Sequence, residues 1–113
     1  MDTMEQKNLI AVGVDQNGLV WNGHYGVSPQ YYLFNSEGKQ VEKRSNPHAV
    51  DEEGKQHHGK PELIAALLPE CSVFIGRKMG HSDKLIALGV KAITTEECEP
   101  KVSVLTYINS GHG

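Results

Sequence analysis

The sequence predicts an α/β fold, and three observations predict it. Leu9 to Val14 is an uninterrupted apolar run of strand length, as expected of a strand covered on both faces. From Lys60 onward, helical and strand-like segments alternate at the spacing of parallel strands joined by helical crossovers. Between these regions, two strand-like runs at 31–34 and 40–44 flank a Ser-Glu-Gly-Lys turn, which adds a hairpin.

Residues 1–7 are polar and read as a frayed leader. Asp15-Gln-Asn-Gly18 is a turn, because Asn-Gly tolerates the positive φ that tight turns need. Residues 19–21 return briefly as strand. The glycine-rich segment 22–26 suits neither regular element, and Ser28-Pro29 continues the loop. Residues 40–44 form an edge strand. From 45 to 59, Asn, Pro, His, Asp, Glu and Gly dominate and no apolar face can form, which reads as a long mobile loop.

The second half is more regular. Pro61 and Glu62 suit a first helical turn, Leu63, Ile64, Leu67 and Leu68 share one stripe, and Pro69 ends the helix. Residues 71–75 form a strand that stops at Gly76. Ser82 or Asp83 caps a short helix through Leu88, with Gly89 as a left-handed stop. Residues 90–95 are β-branched and read as strand. The last segment is ambiguous: Val102, Val104, Thr106 and Ile108 alternate as in a strand, whereas Val102, Leu105 and Ile108 suit a helix face. Propensity favours strand.

At 113 residues the chain fits a single domain, large enough to bury one core without disulfides or metal staples. A mean hydropathy of −0.42 with 22% charged residues is the composition of a soluble globular protein. A net charge of −3 gives no basic field to draw nucleic acid, and no apolar run approaches the length of a membrane span. The N-terminus lacks a secretory apolar stretch, and Cys71 and Cys98 form no disulfide framework. Residence in the cytoplasm with reduced thiols fits both features.

Several residues can carry chemistry. The loop Gly76-Arg77-Lys78-Met79-Gly80 follows a buried strand and opens onto a helix, the crevice where α/β sheets bind anions; a solvated surface turn is the plainer alternative. Of six histidines, five lie in predicted loops and His81 sits at a helix start. Imidazole is a common metal ligand, so His24, His57, His58 and His81 near strand ends form a candidate metal set. Their spacing matches no structural zinc pattern, and His57-His58 reads equally as a polar loop pair. Cys71 suits a small buried hydrophobe, and Cys98 sits among Glu96, Glu97 and Glu99, which oppose a thiolate. Met79 offers a soft thioether, with packing as its commoner use. Asp15 ends the first strand as in a metal-dependent nuclease, but no partner carboxylate is evident.

Ile10-Ala-Val-Gly-Val-Asp15, the following Gly turn, His24-Tyr25-Gly26 and the Tyr32-Leu-Phe34 strand together resemble the nitrogenase iron–molybdenum cofactor accessory family. Asn46-Pro47, Gly59, Gly76, Gly80 and the run from Leu85 to Val90 follow the same pattern, so the resemblance spans about residues 8–111. It implies a ribonuclease-H-like three-layer α/β/α fold, with a five-stranded mixed sheet whose second strand is antiparallel to the rest. It also implies a helix over about 99–110, against local propensity. Tyr25 replaces the family's usual Phe, and the 76–89 stretch is short enough to leave a helix of two turns.

Members of that family are non-catalytic carriers of anionic metal–sulfur clusters, which makes this chain a candidate for the same role. The cargo would be iron–molybdenum cofactor, its precursor or a molybdenum–copper sulfide cluster, loosely held. The resemblance places the cluster ligand on His24. The expected binding residues are His24, Tyr25, Gly26, Asn46, His57, His58, Gly76, Arg77, Lys78, Met79 and Gly80. In this reading Arg77 and Lys78 neutralise the cluster and the 45–59 loop closes over it. Acid should weaken binding, because ligation takes a neutral imidazole. Expected partners are cofactor-assembly or acceptor proteins, with no nucleic acid or membrane, and the chain itself a monomer or weak homodimer. Two alternatives stand beside it: a zinc or nickel protein using the loop histidines, and, on fold analogy alone, a ribonuclease-H-like nuclease.

Overall fold

A computed structural model of the chain describes residues 9–47, 61–79 and 82–112. The expected leader, most of the 45–59 loop (with His48, His57 and His58), Gly80 and His81 lie outside them. The strands are β1 (Leu9–Val14), β2 (Gln30–Phe34), β3 (Gln40–Ser45), β4 (Cys71–Gly76) and β5 (Lys91–Thr94). The helices are α1 (Pro61–Leu67), α2 (Ser82–Ala87) and α3 (Pro100–Tyr107). One five-stranded sheet runs β3-β2-β1-β4-β5. β1 pairs antiparallel with β2 and parallel with β4, β2 pairs antiparallel with β3, and β4 pairs parallel with β5. The second strand therefore opposes the other four.

Both sheet faces are covered, which explains the unbroken apolar run of β1. Ile10, Val12 and Val14 point into one core with Phe34, Val73, Ile75 and the α3 residues Val104 and Tyr107. Ala11 points the other way, into a core with Tyr25, Tyr31, Leu33, Phe74, the α1 residues Ile64 and Leu68 (just past its end), and Leu85 of α2. The protein thus has three layers, with α1 and α2 on one face and α3 on the other.

The C-terminal segment corrects the propensity reading. It is helical because Pro100, Ser103, Val104 and Tyr107 fall on one stripe at helical spacing and all four are buried. The apolar triplet 102/105/108 is not the buried stripe: Val102 and Leu105 face solvent. Pro100 at the first helical turn loses no hydrogen bond there, and Ser103 Oγ donates to its carbonyl at 2.6 Å. Beyond Tyr107 the chain continues in a wider helical turn, Ile108–His112.

Two turns form for the reasons the sequence suggests. Gly18 and Gly89 have φ of 83° and 87°, a region costly for residues with a Cβ. Asp15 Oδ1 accepts from the amides of Asn17 and Leu19, closing the first turn on its own backbone. Strand β3 is an edge, largely exposed, and its Arg44 reaches across to α1. There Arg44 donates to the Leu67 carbonyl at 2.8 Å and to both carboxylate oxygens of Glu70. One guanidinium therefore caps a helix end and ties the hairpin to the second half of the chain.

Candidate functional site

β1 and β4 are parallel neighbours, and the chain leaves β1 toward β2 on one side but β4 toward β5 on the other. In α/β sheets the crevice at such a reversal, beyond the strands' carboxyl ends, is where ligands bind. Segment 20–25 crosses this crevice. Val20 is buried in the α3-side core and Tyr25 in the opposite one, so the chain passes over the ends of β1 and β4 between them. The Val20 amide donates to the Cys98 carbonyl and the Trp21 amide to the Gly13 carbonyl, both at 2.9 Å.

His24 and Lys78 meet at this rim. Their backbones form an isolated parallel bridge, and the Tyr25 amide donates to the Lys78 carbonyl at 2.9 Å. Both side chains are exposed. An imidazole and an ammonium from distant parts of the chain thus share one edge of the crevice.

The segment is anchored by Tyr25, which begins a short 3-10 turn (Tyr25–Val27) rather than the irregular loop expected there. Its ring stacks on Phe74 at 5.1 Å and leans on Tyr31 at 5.0 Å, and its hydroxyl donates to the Ala11 carbonyl at 2.8 Å. Its own carbonyl accepts from the Tyr31 hydroxyl at 2.7 Å and from Ser28 Oγ at 2.8 Å. Burial pushes the Tyr25 hydroxyl well above the ordinary range, so it stays a neutral donor. The glycines below are shaped by this turn: a Cβ on Gly76 would lie 2.7 Å from Tyr25 Cδ1, and one on Gly13 would collide with Ser28 Oγ.

Asn46 belongs to the same anchor. It is buried, and its Nδ2 donates to the carbonyls of Gly26 and Ser28 and to the Tyr31 hydroxyl at 3.0, 2.8 and 3.2 Å. Its amide nitrogen therefore holds backbone rather than facing the crevice. Tyr25 and Gly26 likewise support the rim. Met79 packs against the α1-side core, and its methyl would lie 3.6 Å from a Cβ on Gly76. Packing is its visible use.

Arg77 does not join His24. Its Nη2 donates to the Glu97 carbonyl at 3.0 Å, and the side chain lines a separate open cavity of about 430 Å³. Asp15, Trp21, Asn22 and Cys98 share that wall, and His24 does not. The expected pairing of Arg77 with Lys78 thus divides, because neighbouring residues beyond a strand end direct their side chains apart. Trp21 and Cys98 were not legible as site residues; the one signal in the sequence is a single tryptophan directly before a glycine-rich segment.

Among the described residues, no three His, Cys, Asp or Glu side chains converge as a metal site. Of the candidate metal set only His24 is described; His57, His58 and His81 are not. No described helix is long and apolar enough to cross a membrane.

Among solved structures, the fold is similar to that of a Thermotoga protein described as a NifB candidate. The TM-score is 0.64 at 18% identity, covering 92% of this chain and 89% of that one. It is also similar to a candidate dinitrogenase from Methanocaldococcus jannaschii, with a TM-score of 0.61 at 11% identity, covering 92% of this chain and 90% of that one. At such identities the likeness is one of fold. Comparison with curated proteins finds no match. The sequence itself matches the profile of the family described as dinitrogenase iron-molybdenum cofactor over residues 6–110. With nearly the whole chain matched, this protein belongs to the dinitrogenase iron–molybdenum cofactor family.

Proposed function

We propose that this chain is a non-catalytic carrier of an anionic metal–sulfur cluster, held at the rim where His24 meets Lys78. The cargo is iron–molybdenum cofactor, a precursor of it, or a molybdenum–copper sulfide cluster. The observation that carries this reading is the backbone bridge between His24 and Lys78, which sets an imidazole and a cation side by side at the carboxyl ends of β1 and β4. A sulfide cluster is soft and polyanionic, so a borderline nitrogen ligand and a neighbouring positive charge suit it. The sheet order with its reversed second strand supports assigning the chain a ribonuclease-H-like fold.

Within this reading His24 supplies the ligating nitrogen, Lys78 offsets part of the cluster charge, and Tyr25 holds both in place from below. A shallow rim with exposed side chains suits loose holding and delivery to a cofactor-assembly or acceptor protein in the cytoplasm, with the carrier a monomer or weak homodimer.

Anaerobic titration with a molybdenum–iron–sulfur cluster, followed by its visible absorbance, tests the proposal. We expect His24→Ala to lose at least ~tenfold in affinity, the scale of one lost metal ligand or of a group that orients one. Lys78→Ala should weaken binding less and reduce its salt dependence. Equal affinity of wild type and His24→Ala, with both folded by circular dichroism, overturns it.

A further inference from the structure

The cavity lined by Arg77 is a different place from the His24 rim, and its chemistry is one-sided. Two buried N–H donors, Trp21 Nε1 and Arg77 Nε, have no hydrogen-bond partner among the described residues. Both belong to side chains that line this one cavity. Buried donors without acceptors are costly and uncommon, and here two of them sit in side chains of the same cavity wall, just behind its surface. The group that satisfies them must bring acceptors.

The walls are fixed on both sides. The Val20 amide donates to the Cys98 carbonyl, and Arg77 Nη2 donates to the Glu97 carbonyl, so the first turn and the segment before α3 are tied together around the opening. Asp15 also lines the cavity, but its Oδ1 already accepts two backbone amides. Guanidinium and indole N–H are both donors without acceptor capacity. From this juxtaposition we propose that the cavity is a binding site for a small tetrahedral oxoanion, held by the Arg77 guanidinium and the Trp21 indole N–H.

A tetrahedral oxoanion presents several acceptor oxygens at once and can meet both donors while its charge faces the guanidinium. Because both nitrogens are sealed from the cavity, the site requires the indole edge and the guanidinium to turn toward the opening as the anion enters. The Asp15 carboxylate sets the selectivity: it repels a fully deprotonated oxoanion and accepts a hydrogen bond from one that keeps an O–H. Sulfate and molybdate are of the first kind at neutral pH, and phosphate is of the second. The site goes beyond the carrier reading and stands without it.

The test uses the single tryptophan, whose indole N–H gives one resonance in a proton–nitrogen correlation spectrum. The full chain is titrated separately with sulfate, phosphate and molybdate, with chloride holding ionic strength constant. We expect a saturable shift of the Trp21 indole signal, weakened at least ~tenfold by Arg77→Gln, the scale of one lost charge-assisted contact. Asp15→Asn keeps an oxygen for the two turn amides and should tighten sulfate and molybdate. His24→Ala abolishes the ligand of the carrier reading and should leave the oxoanion shift in place, so the two proposals fail separately. If Arg77→Gln does not fold, Arg77→Lys and calorimetry on Trp21→Phe take its place. No saturable shift with any of the three anions, or unchanged affinity in the Arg77 and Trp21 variants, overturns the site.

Discussion

The backbones of His24 and Lys78 lie side by side as a parallel bridge, with the Tyr25 amide locked onto the Lys78 carbonyl at 2.9 Å. The backbone that carries the imidazole is therefore held from beneath by the Tyr25 turn. Tyr25 fills the space over Gly13 and Gly76, and Tyr31, Ser28 and Asn46 hold the turn from the side. Changes to this buried support should reach the rim without touching it.

Gly76→Ala puts a methyl 2.7 Å from Tyr25 Cδ1, against a ring stacked on Phe74 and unable to retreat. We expect a loss of about 1–3 kcal/mol, the range for overpacking a filled core. Urea denaturation measures it. Adding Tyr25→Leu, which removes the ring, should recover part of the loss; no recovery would mean that the ring is not the obstacle.

Tyr31→Phe removes one hydroxyl that both donates to the Tyr25 carbonyl and accepts from Asn46 Nδ2. The Tyr25 carbonyl keeps Ser28 and Asn46 Nδ2 keeps two carbonyls, so neither is orphaned and the cost should be about 0.5–1.5 kcal/mol. Amide hydrogen exchange at residues 24–28 should speed up more than in β1. Uniform protection across both segments would contradict the anchoring role.

Arg44 holds the Glu70 carboxyl below its ordinary value of 4.5 through a paired hydrogen bond. A folded value below the unfolded one contributes stability that is present above about pH 4.5 and lost as pH falls through the folded value. The Glu70 side chain is 43% exposed, and solvent screening holds the pair's worth below ~1 kcal/mol. Glu70→Gln should lose up to that amount at neutral pH, lose nothing below the window, and so flatten the acid limb of the stability profile. A parallel acid limb in the variant would remove the pair from the account.

The two thiols should differ sharply. Cys71 is buried, and desolvation pushes its thiol up to about 12, whereas Cys98 is exposed. Iodoacetamide at pH 8 should label Cys98 alone in the folded protein and both in urea. Mass spectrometry of the peptides decides it, and early labelling of Cys71 would show that β4 opens locally.

Much of this fold was legible before any coordinates. The apolar run of β1, the Asn-Gly turn at Gly18, Pro61 as a helix start and Gly89 as a stop each carry their reason within a few neighbouring residues. The end of the chain shows the limit: 100–107 reads as strand by propensity and is helical because the α3-side core of β1 and β4 needs covering. Burial of Val104 and Tyr107 against that face outweighs the local preference.

The site divides along the same line. Residue chemistry and strand ends, both local features, offered the basic loop after β4 and a set of four histidines, and the family resemblance picked His24 from that set. Only the tertiary structure decided that Lys78 stands beside His24, that Arg77 turns to Glu97 and another cavity, and that Asn46 is spent on backbone carbonyls. Residue type states what a side chain can do. Which neighbour it does it with depends on how segment 20–25 lies across the sheet, and long-range packing of Tyr25 sets that path.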